Sequence, residues 1–249
     1  MVAVVDPVDA RRAVSGTLAY VYGVARHVQP IARTGVVDAE VTAVEHAGLV
    51  AIVSSVPSLE IRARRRDLLA HQEVVADAFA HGPVVPLRFG TVFDDAAAVV
   101  SQLLAPRRDA LLRLLARFED VAELSVRAHY VEDAVLREIV RDDPRVARLR
   151  ESGADVALGE AVVAALQAKR AAEADRIEHT LSRLAEDAVS EEPRTEYELF
   201  RGAFLVERDG IAAFDAAMDG LARAREGCVV FKYVGPLPPH SFVGPEAIG

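Results

Sequence analysis

Histidines, cysteines and paired carboxylates build most catalytic and metal sites, and in this sequence they are scattered. The seven histidines include no pair three or four residues apart, which is the spacing that places two metal ligands on one helical face. His71 and Glu73 lie two residues apart in a helical pattern, and side chains at that spacing do not face each other. We therefore expect His71 to pack or to form hydrogen bonds rather than to act as a base. The sequence predicts no catalytic residue, no metal ligand and no cofactor.

The single cysteine and the one acidic pair do not change this expectation. Cys228 lies in an apolar run, so we expect it to belong to the core. One cysteine cannot form a disulfide within the chain, as is usual in a reducing cytoplasm. Asp94-Asp95 is able to bind a cation, but it precedes a helical pattern, and helix capping is the simpler interpretation. No glycine-rich nucleotide loop or nucleophile elbow occurs.

Arg88 remains as a candidate because it is the one cation in the apolar, β-prone stretch Gly82-Pro-Val-Val-Pro-Leu-Arg-Phe-Gly-Thr-Val-Phe93. A cation in such a strand must find a partner or reach solvent, since burying it unpaired is costly. One interpretation is an ion pair with Glu73 or Asp77 of the preceding helix. The other is an anchor for a partner protein at the edge of a sheet.

The composition excludes several classes of protein. With 249 residues, of which 51% are hydrophobic, the chain can bury the core of one large domain or two small ones. A net charge of −9 argues against nucleic-acid binding, which requires a basic surface. We find no apolar stretch that could span a membrane and no signal peptide, and we expect a cytoplasmic protein whose residues 1–16 form a loose leader.

The elements that would position Arg88 are strands and helices in alternation. Patterns rich in β-branched and aromatic residues predict strands at 17–24, 41–46, 49–54, 84–89, 121–130, 197–206 and 228–234. Helical periodicity predicts helices at 62–80, 96–104, 111–118, 131–140, 155–190 and 211–226, and Asp143-Pro144 opens a further one.

Three of these patterns carry finer expectations. The helix at 62–80 should bury a stripe that includes Leu68 and Leu69, and its first turns carry an arginine cluster from Arg62 to Arg66. The strand at 121–130 should have a largely polar outer face. The helix at 155–190 has a possible break near Lys169-Arg170.

The order of elements predicts an α+β protein of two domains. The order β-α-α-β-α-β from residue 121 is typical of split β-α-β units, as in ferredoxin-like folds. We therefore predict an N-terminal α+β domain at 1–119 and a modified ferredoxin-like domain at 120–234 with a long helical insertion. The proline-rich residues 235–249 should follow as an extended tail on the surface.

Four segments in order along the chain resemble the gas vesicle accessory family GvpL/GvpF. The opening strand contains Tyr20-Val-Tyr-Gly23, and Pro86-Leu-Arg-Phe-Gly-Thr-Val-Phe93 follows a helix that contains His71. Residues 126–140 are similar to the family's entry into its second domain, and Tyr233-Val-Gly-Pro-Leu-Pro-Pro-His-Ser-Phe-Val243 is similar to its closing motif.

The resemblance implies a non-enzymatic protein that assembles gas vesicles and binds the hydrophobic shell protein and other accessory proteins. It implies association with vesicles in the cytoplasm and no nucleic-acid or membrane partner, and it leaves the oligomeric state open. The candidate partner-binding or fold-fingerprint residues are Arg88, Phe89, Phe93, Pro236, Pro238 and Phe242.

Two other functions stay open. The first is a small-ligand-binding or enzymatic α+β domain with a pocket near His71, Arg88 and His129. The second is a structural protein that only oligomerises.

Overall fold

The chain, in a computed structural model that describes residues 17–57 and 63–245, mixes helices with two antiparallel sheets, which confirms the predicted α+β class. It divides into two compact units. The first contains the described residues up to Ala122 and those from Leu237 onward, and the second is Glu123–Pro236. That each folds by itself as a domain stays a prediction. The predicted leader at 1–16 and Arg62 lie outside the described residues.

The sheet of the first unit is built around a strand buried along most of its length. Its five strands are β1 Leu18–Ala25, β2 Val41–His46, β3 Leu49–Val56, β4 Val84–Pro86 and β5 Val92–Phe93. Their order is β2-β3-β1, and both β4 and β5 pair antiparallel with the other side of β1. Strands β1 and β3 are buried almost throughout, which explains their continuous runs of β-branched and aromatic residues.

The hairpin that joins β2 to β3 turns at Ala47-Gly48, as predicted. Both residues have left-handed backbone conformations, with φ of 48° and 82°. Two consecutive positive φ angles give the turn the twist that two antiparallel strands require.

Three longer helical segments of the first unit are α1 Arg65–Phe79, α2 Ala96–Ala98, which continues as a π-helix over Val99–Leu104, and α3 Arg108–Arg117. The unit also contains two short 3-10 helices, Val36–Asp38 and His240–Phe242. The carboxylate of Asp95 accepts a hydrogen bond of 2.7 Å from the amide of Ala98, which confirms that the acidic pair caps a helix.

The buried face of α1 differs from the predicted stripe. Leu68 and Leu69 are 38% and 46% exposed, whereas Asp67 and His71 are buried beside apolar residues of the next two turns. The carboxylate of Asp67 accepts a hydrogen bond of 3.0 Å from the amide of Val37. The prediction was wrong because hydrophobic periodicity does not detect polar side chains whose partners come from elsewhere in the chain.

The second unit places three helices between its first two strands. Its elements are β6 Val121–Tyr130, α4 Glu132–Asp142, α5 Pro144–Ser152, α6 Asp155–Ser182, β7 Asp187–Ser190, β8 Glu198–Glu207, α7 Ile211–Ala224 and β9 Val229–Leu237. The strand order is β7-β8-β6-β9. Phe204 and Phe214 lie at the centre of the core, with their ring centroids 5.4 Å apart.

Two predictions in the second unit were wrong. Helix α6 runs unbroken to Ser182, and Asp187–Ser190 forms strand β7 rather than the end of the helix. Strand β7 pairs with Leu205 to Gly202 of β8, and this pairing overrides a local helical preference. The polar face of β6 was also predicted to lie outward, but Glu123 on that face is buried.

A network of charged side chains connects three elements of the second unit. Glu138 of α4 binds Arg225 at 2.9 Å and Lys169 of α6 at 3.0 Å, and both cations also contact Glu173 at 3.0 and 3.2 Å. Cys228, which we expected in the core, is half-buried and donates its thiol to Glu138 at 3.0 Å. Hydrogen bonds from Arg225, Cys228 and Lys169 hold the pKa of Glu138 at about 2.

We predict that Glu138→Gln lowers the free energy of unfolding by about 3 kcal/mol at neutral pH, because it leaves two largely buried cations short of one carboxylate. The pKa of Glu138 is lowered from 4.5 to about 2 on folding, so this stabilisation is present above pH 4.5 and is lost as the pH falls toward 2. Denaturant titrations should therefore show that the difference in the free energy of unfolding between wild type and variant becomes smaller as the pH falls from 4.5 toward 2.

The matched control is Glu151→Gln, which removes an exposed carboxylate from α5. We expect the control to unfold like the wild type at every pH. Equal unfolding of Glu138→Gln and wild type at neutral pH would show that the network does not stabilise the unit.

Candidate partner-binding surface

The stretch that contains Arg88 runs along an edge of the first sheet, where Val84, Val85 and Leu87 are buried and residues 88–93 are exposed or half-buried. We call residues 84–93 the edge segment. Among the strands that the structure describes, β1 is the only one that pairs with it, so the outer side of the segment has no strand partner. Pro86 ends β4 at this edge, where a residue without an amide proton costs no ladder hydrogen bond.

The edge segment leaves the sheet for three residues and then returns. The amide of Leu87 donates to the carbonyl of Tyr22 at 2.9 Å. The amide of Val21, the neighbour of Tyr22 on β1, donates to the carbonyl of Thr91 at 2.9 Å. Residues 88–90 therefore have no counterpart on β1 and must loop out of the strand. Gly90 has φ of 90°, and Thr91 donates from both its amide and its hydroxyl to the carbonyl of Arg88.

His71 holds this loop at Leu87 directly and at Gly90 through Tyr20. Its Nε2 lies 3.1 Å from the carbonyl oxygen of Leu87, and its Nδ1 lies 2.8 Å from the hydroxyl of Tyr20. The same hydroxyl accepts a hydrogen bond of 3.2 Å from the amide of Gly90. Leu87 and Gly90 flank Arg88 and Phe89, so one imidazole and one phenol set the position of the whole loop.

The hydrogen-bond partners of His71 define its tautomer. A carbonyl oxygen only accepts, so Nε2 carries the proton and Nδ1 accepts from the Tyr20 hydroxyl. Burial of the ring lowers the pKa of His71 to about 4, and the charge of His240 adds to this effect. The ring is therefore neutral at physiological pH, and both of its nitrogens are used within the protein.

Arg88 does not form the ion pair that one interpretation predicted. Glu73 and Asp77 instead contact Arg33, whose guanidinium lies 3.3 Å from the first carboxylate and 2.7 Å from the second. The side chain of Arg88 is exposed and forms no ion pair with any residue in the described parts of the chain. Its charge is therefore available to solvent or to a partner.

Two aromatic residues accompany Arg88 on the edge segment. Phe89 is half-buried, and its ring packs edge-on against the rings of His71 and Tyr20, with centroids 5.8 and 6.0 Å away. Phe93 is also half-buried and lies opposite Ala19 of β1. Both rings are partly exposed and lie on the same segment as the exposed cation.

The C-terminal candidates are buried to different extents. Pro236 is exposed near the end of β9, whereas Pro238 is buried and Phe242 is only 5% exposed. The expected strap on the surface is thus partly a packed segment, because two of its apolar residues reach the core. We interpret Pro238 and Phe242 as packing residues of the first unit, to which residues 237–245 belong.

Within residues 17–57 and 63–245, no three histidine, cysteine or acidic side chains lie close enough together to hold a metal ion. No helix in these ranges is long and apolar enough to span a membrane. Both ring nitrogens of His71 have partners within the protein, so His71 is not free to act as a base or to bind a small ligand through its imidazole.

Sequence reasoning found Arg88 and described His71 correctly as a hydrogen-bonding residue, but it missed Tyr20. That residue lies 51 positions before His71, and nothing in the local pattern of β1 connects the two. The one feature of the sequence that could have indicated a role for Tyr20 is Tyr22 two residues later, because alternate positions of a strand lie on the same face.

Comparisons with known proteins match one protein family along nearly the whole chain. The sequence model of the family described as "Gas vesicle synthesis protein GvpL/GvpF" matches residues 18–244. Gas vesicle protein F of Streptomyces sp. (strain CB03234) is 37% identical over 238 residues, which cover 90% of this chain and 98% of the relative.

Two crystal structures share the fold. Gas vesicle protein GvpF from Anabaena sp. PCC7120 superposes with a TM-score of 0.81 at 21% identity, and GvpF from Microcystis aeruginosa does so with 0.76 at 19%. In both cases the match covers 91% of this chain and 98% of the other.

We predict that Tyr20→Phe loosens the loop, because it removes the acceptor for the Gly90 amide and the donor to His71. Hydrogen exchange measured by NMR should show the Gly90 amide exchanging roughly tenfold faster, with a loss of about 1–2 kcal/mol in the free energy of unfolding. The control is Tyr22→Phe, which removes a hydroxyl of the same strand that bonds Ser54 and Val36 instead. Faster Gly90 exchange in both variants would contradict this anchor.

We also predict that His71 makes the protein less stable in mild acid. Its pKa is lowered from 6.5 to about 4 on folding, so the unfolded chain binds a proton across that window while the folded protein does not. The free energy of unfolding should therefore fall by about 2–3 kcal/mol between pH 6.5 and 4 through this group alone. His71→Gln should flatten this part of the pH profile, and His81→Gln, a change at an exposed histidine, should leave it as in the wild type.

Proposed function

Because the chain belongs to the gas vesicle synthesis protein GvpL/GvpF family, we propose that it is a non-enzymatic accessory protein of gas vesicle formation. In this role it binds the hydrophobic shell protein of the vesicle and other accessory proteins in the cytoplasm. The family is named for gas vesicle proteins, and this chain is a gas vesicle protein of that family. The finer role rests on one observation, which is the prepositioned loop at an open sheet edge.

The physical argument starts from what a shell protein needs before it is incorporated. A protein that polymerises through apolar β surfaces aggregates unless its strands are covered. A sheet edge with unpaired backbone groups can cover such a strand by adding it to the sheet. In the edge segment, residues 88–93 form the accessible part of such an edge, since Val84, Val85 and Leu87 are buried.

The residues of the edge segment divide this task. Arg88 supplies an exposed charge that can bind a carboxylate of the shell protein, and Phe89 and Phe93 supply apolar surface beside it. Because His71 and Tyr20 hold the loop in place, little conformational entropy is lost when the loop binds. Arg88 thus fixes the register of the bound strand, while the backbone edge provides most of the contact.

We assign the C-terminal candidates a different part. Pro236 is exposed and presents a second contact, whereas Pro238 and Phe242 hold the tail in the first unit as a fingerprint of the fold. We also propose that the second unit is a modified ferredoxin-like domain. The support is its strand order β7-β8-β6-β9, in which the two middle strands are the first and third of the unit.

We predict that Arg88→Glu weakens capture of the shell protein. In a pull-down of tagged protein co-expressed with the shell protein, the captured amount should fall at least about fivefold, since a carboxylate would be repelled where a cation was bound. Arg88 is exposed and without an ion pair among the described residues, so the variant should keep the thermal stability of the wild type.

The matched control is Arg113→Glu, which makes the same charge change at an exposed arginine of α3. It should capture the shell protein as the wild type does. Equal losses in both variants would point to net charge rather than to the edge segment. If the wild type captures no shell protein at all, the proposed role itself is wrong.

A further inference from the structure

A second surface, on the other unit, is built for a different kind of contact. Helices α4 and α5 enclose an open groove of about 810 Å³, within the size range of binding clefts, roughly 300–1,000 Å³. The groove is lined by Asp133, Leu136, Arg137, Val140, Arg141 and Arg150. The five from α4 follow the spacing of one helical stripe, so a single face of α4 forms most of the wall.

The floor of this groove is apolar, and its rim carries three arginines and one carboxylate, Asp133. Leu136 and Val140 are half-buried and pack against the core of the second unit, so their outer surfaces remain open to the groove. Arg137, Arg141 and Arg150 are exposed around them.

The arginines of the groove are only partly neutralised. Arg141 forms a bidentate pair with Asp142 at 2.6 and 2.8 Å. Arg137 donates only its Nε, to the backbone carbonyl of Asp133, and Arg150 forms no ion pair in the part of the chain that the structure describes. Two guanidinium groups therefore lack a carboxylate partner beside an exposed apolar floor.

We propose that the α4–α5 groove is the docking site for an acidic amphipathic helix of a partner protein. An amphipathic helix brings an apolar stripe for Leu136 and Val140, and acidic residues beside that stripe reach Arg137 and Arg150. The arginines of the groove attract an acidic partner even though the chain as a whole has a net charge of −9, which orients the encounter. This inference does not rest on binding of the shell protein, because the groove lies entirely in the second unit.

The geometry favours a helix over an extended strand or a small anion. The groove is walled by helices, whose backbone groups are bonded within each helix, so it offers no sheet edge to a strand. An extended peptide would place unpaired backbone groups over the apolar floor, which is costly. A small anion would bind the arginines but leave Leu136 and Val140 uncovered.

The test uses a fluorescein-labelled synthetic peptide of about 18 residues, or five helical turns, with leucines at helical spacing and glutamates beside them. Its binding to the full-length protein is followed by fluorescence anisotropy. The double variant Arg137→Glu/Arg150→Glu should weaken this binding at least about tenfold, and added salt should weaken binding to the wild type.

Arg183→Glu/Arg223→Glu is the matched control, since it changes the charge equally at two exposed arginines of the same unit. We expect it to bind the peptide like the wild type. Circular dichroism and thermal unfolding establish that both double variants are folded. A scrambled peptide of the same composition and one with lysines in place of the glutamates should bind at least about tenfold more weakly.

Three results would overturn the proposal. The first is no binding of the acidic peptide to the wild type, and the second is equal weakening in the groove variant and the control. The third is binding of the scrambled peptide, the lysine peptide or a single-stranded oligonucleotide as tight as that of the acidic peptide, because charge alone or nucleic acid would then explain the arginines.

Discussion

The neutral ring of His71 is the constraint on which the candidate surface depends. The ring accepts a hydrogen bond from the Tyr20 hydroxyl and donates one to the carbonyl of Leu87, while the Tyr20 hydroxyl accepts another from the amide of Gly90. The four groups form one directional chain, because the other tautomer of His71 would leave an unprotonated Nε2 facing the carbonyl of Leu87, an acceptor against an acceptor. A loop that leaves the sheet for three residues has few backbone bonds of its own. Its position is therefore set by a side chain of α1 rather than by the strand that carries it.

A second chain of hydrogen bonds through a buried tyrosine holds another connection of the first unit. The amide of Val36 donates to the hydroxyl of Tyr22, which donates to Ser54, whose hydroxyl donates to the carbonyl of Glu40. Gly35 allows this approach, since a Cβ there would overlap the Tyr22 hydroxyl. Two tyrosines on one face of β1 thus hold two connections, the segment 35–40 with its short 3-10 helix Val36–Asp38 and the loop at 87–91. In the second unit, the pairs around Glu138 connect helices in a comparable way, with charges in place of neutral groups.

What the sequence predicted well is what local chemistry decides. The turn at Ala47-Gly48 and the caps at Asp95 and Asp143 follow from residues adjacent in the chain, and all three form as expected. What it missed depends on distant partners. Leu68 and Leu69 fit a helical stripe, yet the buried face of α1 is chosen by Asp67 and His71, whose partners come from outside the helix. Strand β7 forms where an alanine-rich pattern favours helix, because β8 offers it a ladder. The candidate site was half predictable for the same reason, since composition singles out Arg88 but cannot reveal that Arg33 takes its expected partners.

The two proposed surfaces differ in what they ask of a partner. The edge segment recognises a backbone, so any strand with free amide and carbonyl groups has affinity for it, and selectivity falls on Arg88 and the rings beside it. The groove between α4 and α5 recognises only side chains, so both its affinity and its selectivity depend on the spacing of apolar and acidic residues on a helix. By these criteria, an extended apolar strand would bind the edge segment and not the groove, and an acidic helix would bind the groove and not the edge segment. The two proposed surfaces would therefore select partners of different chemistry, a strand at the edge segment and an acidic helix at the groove.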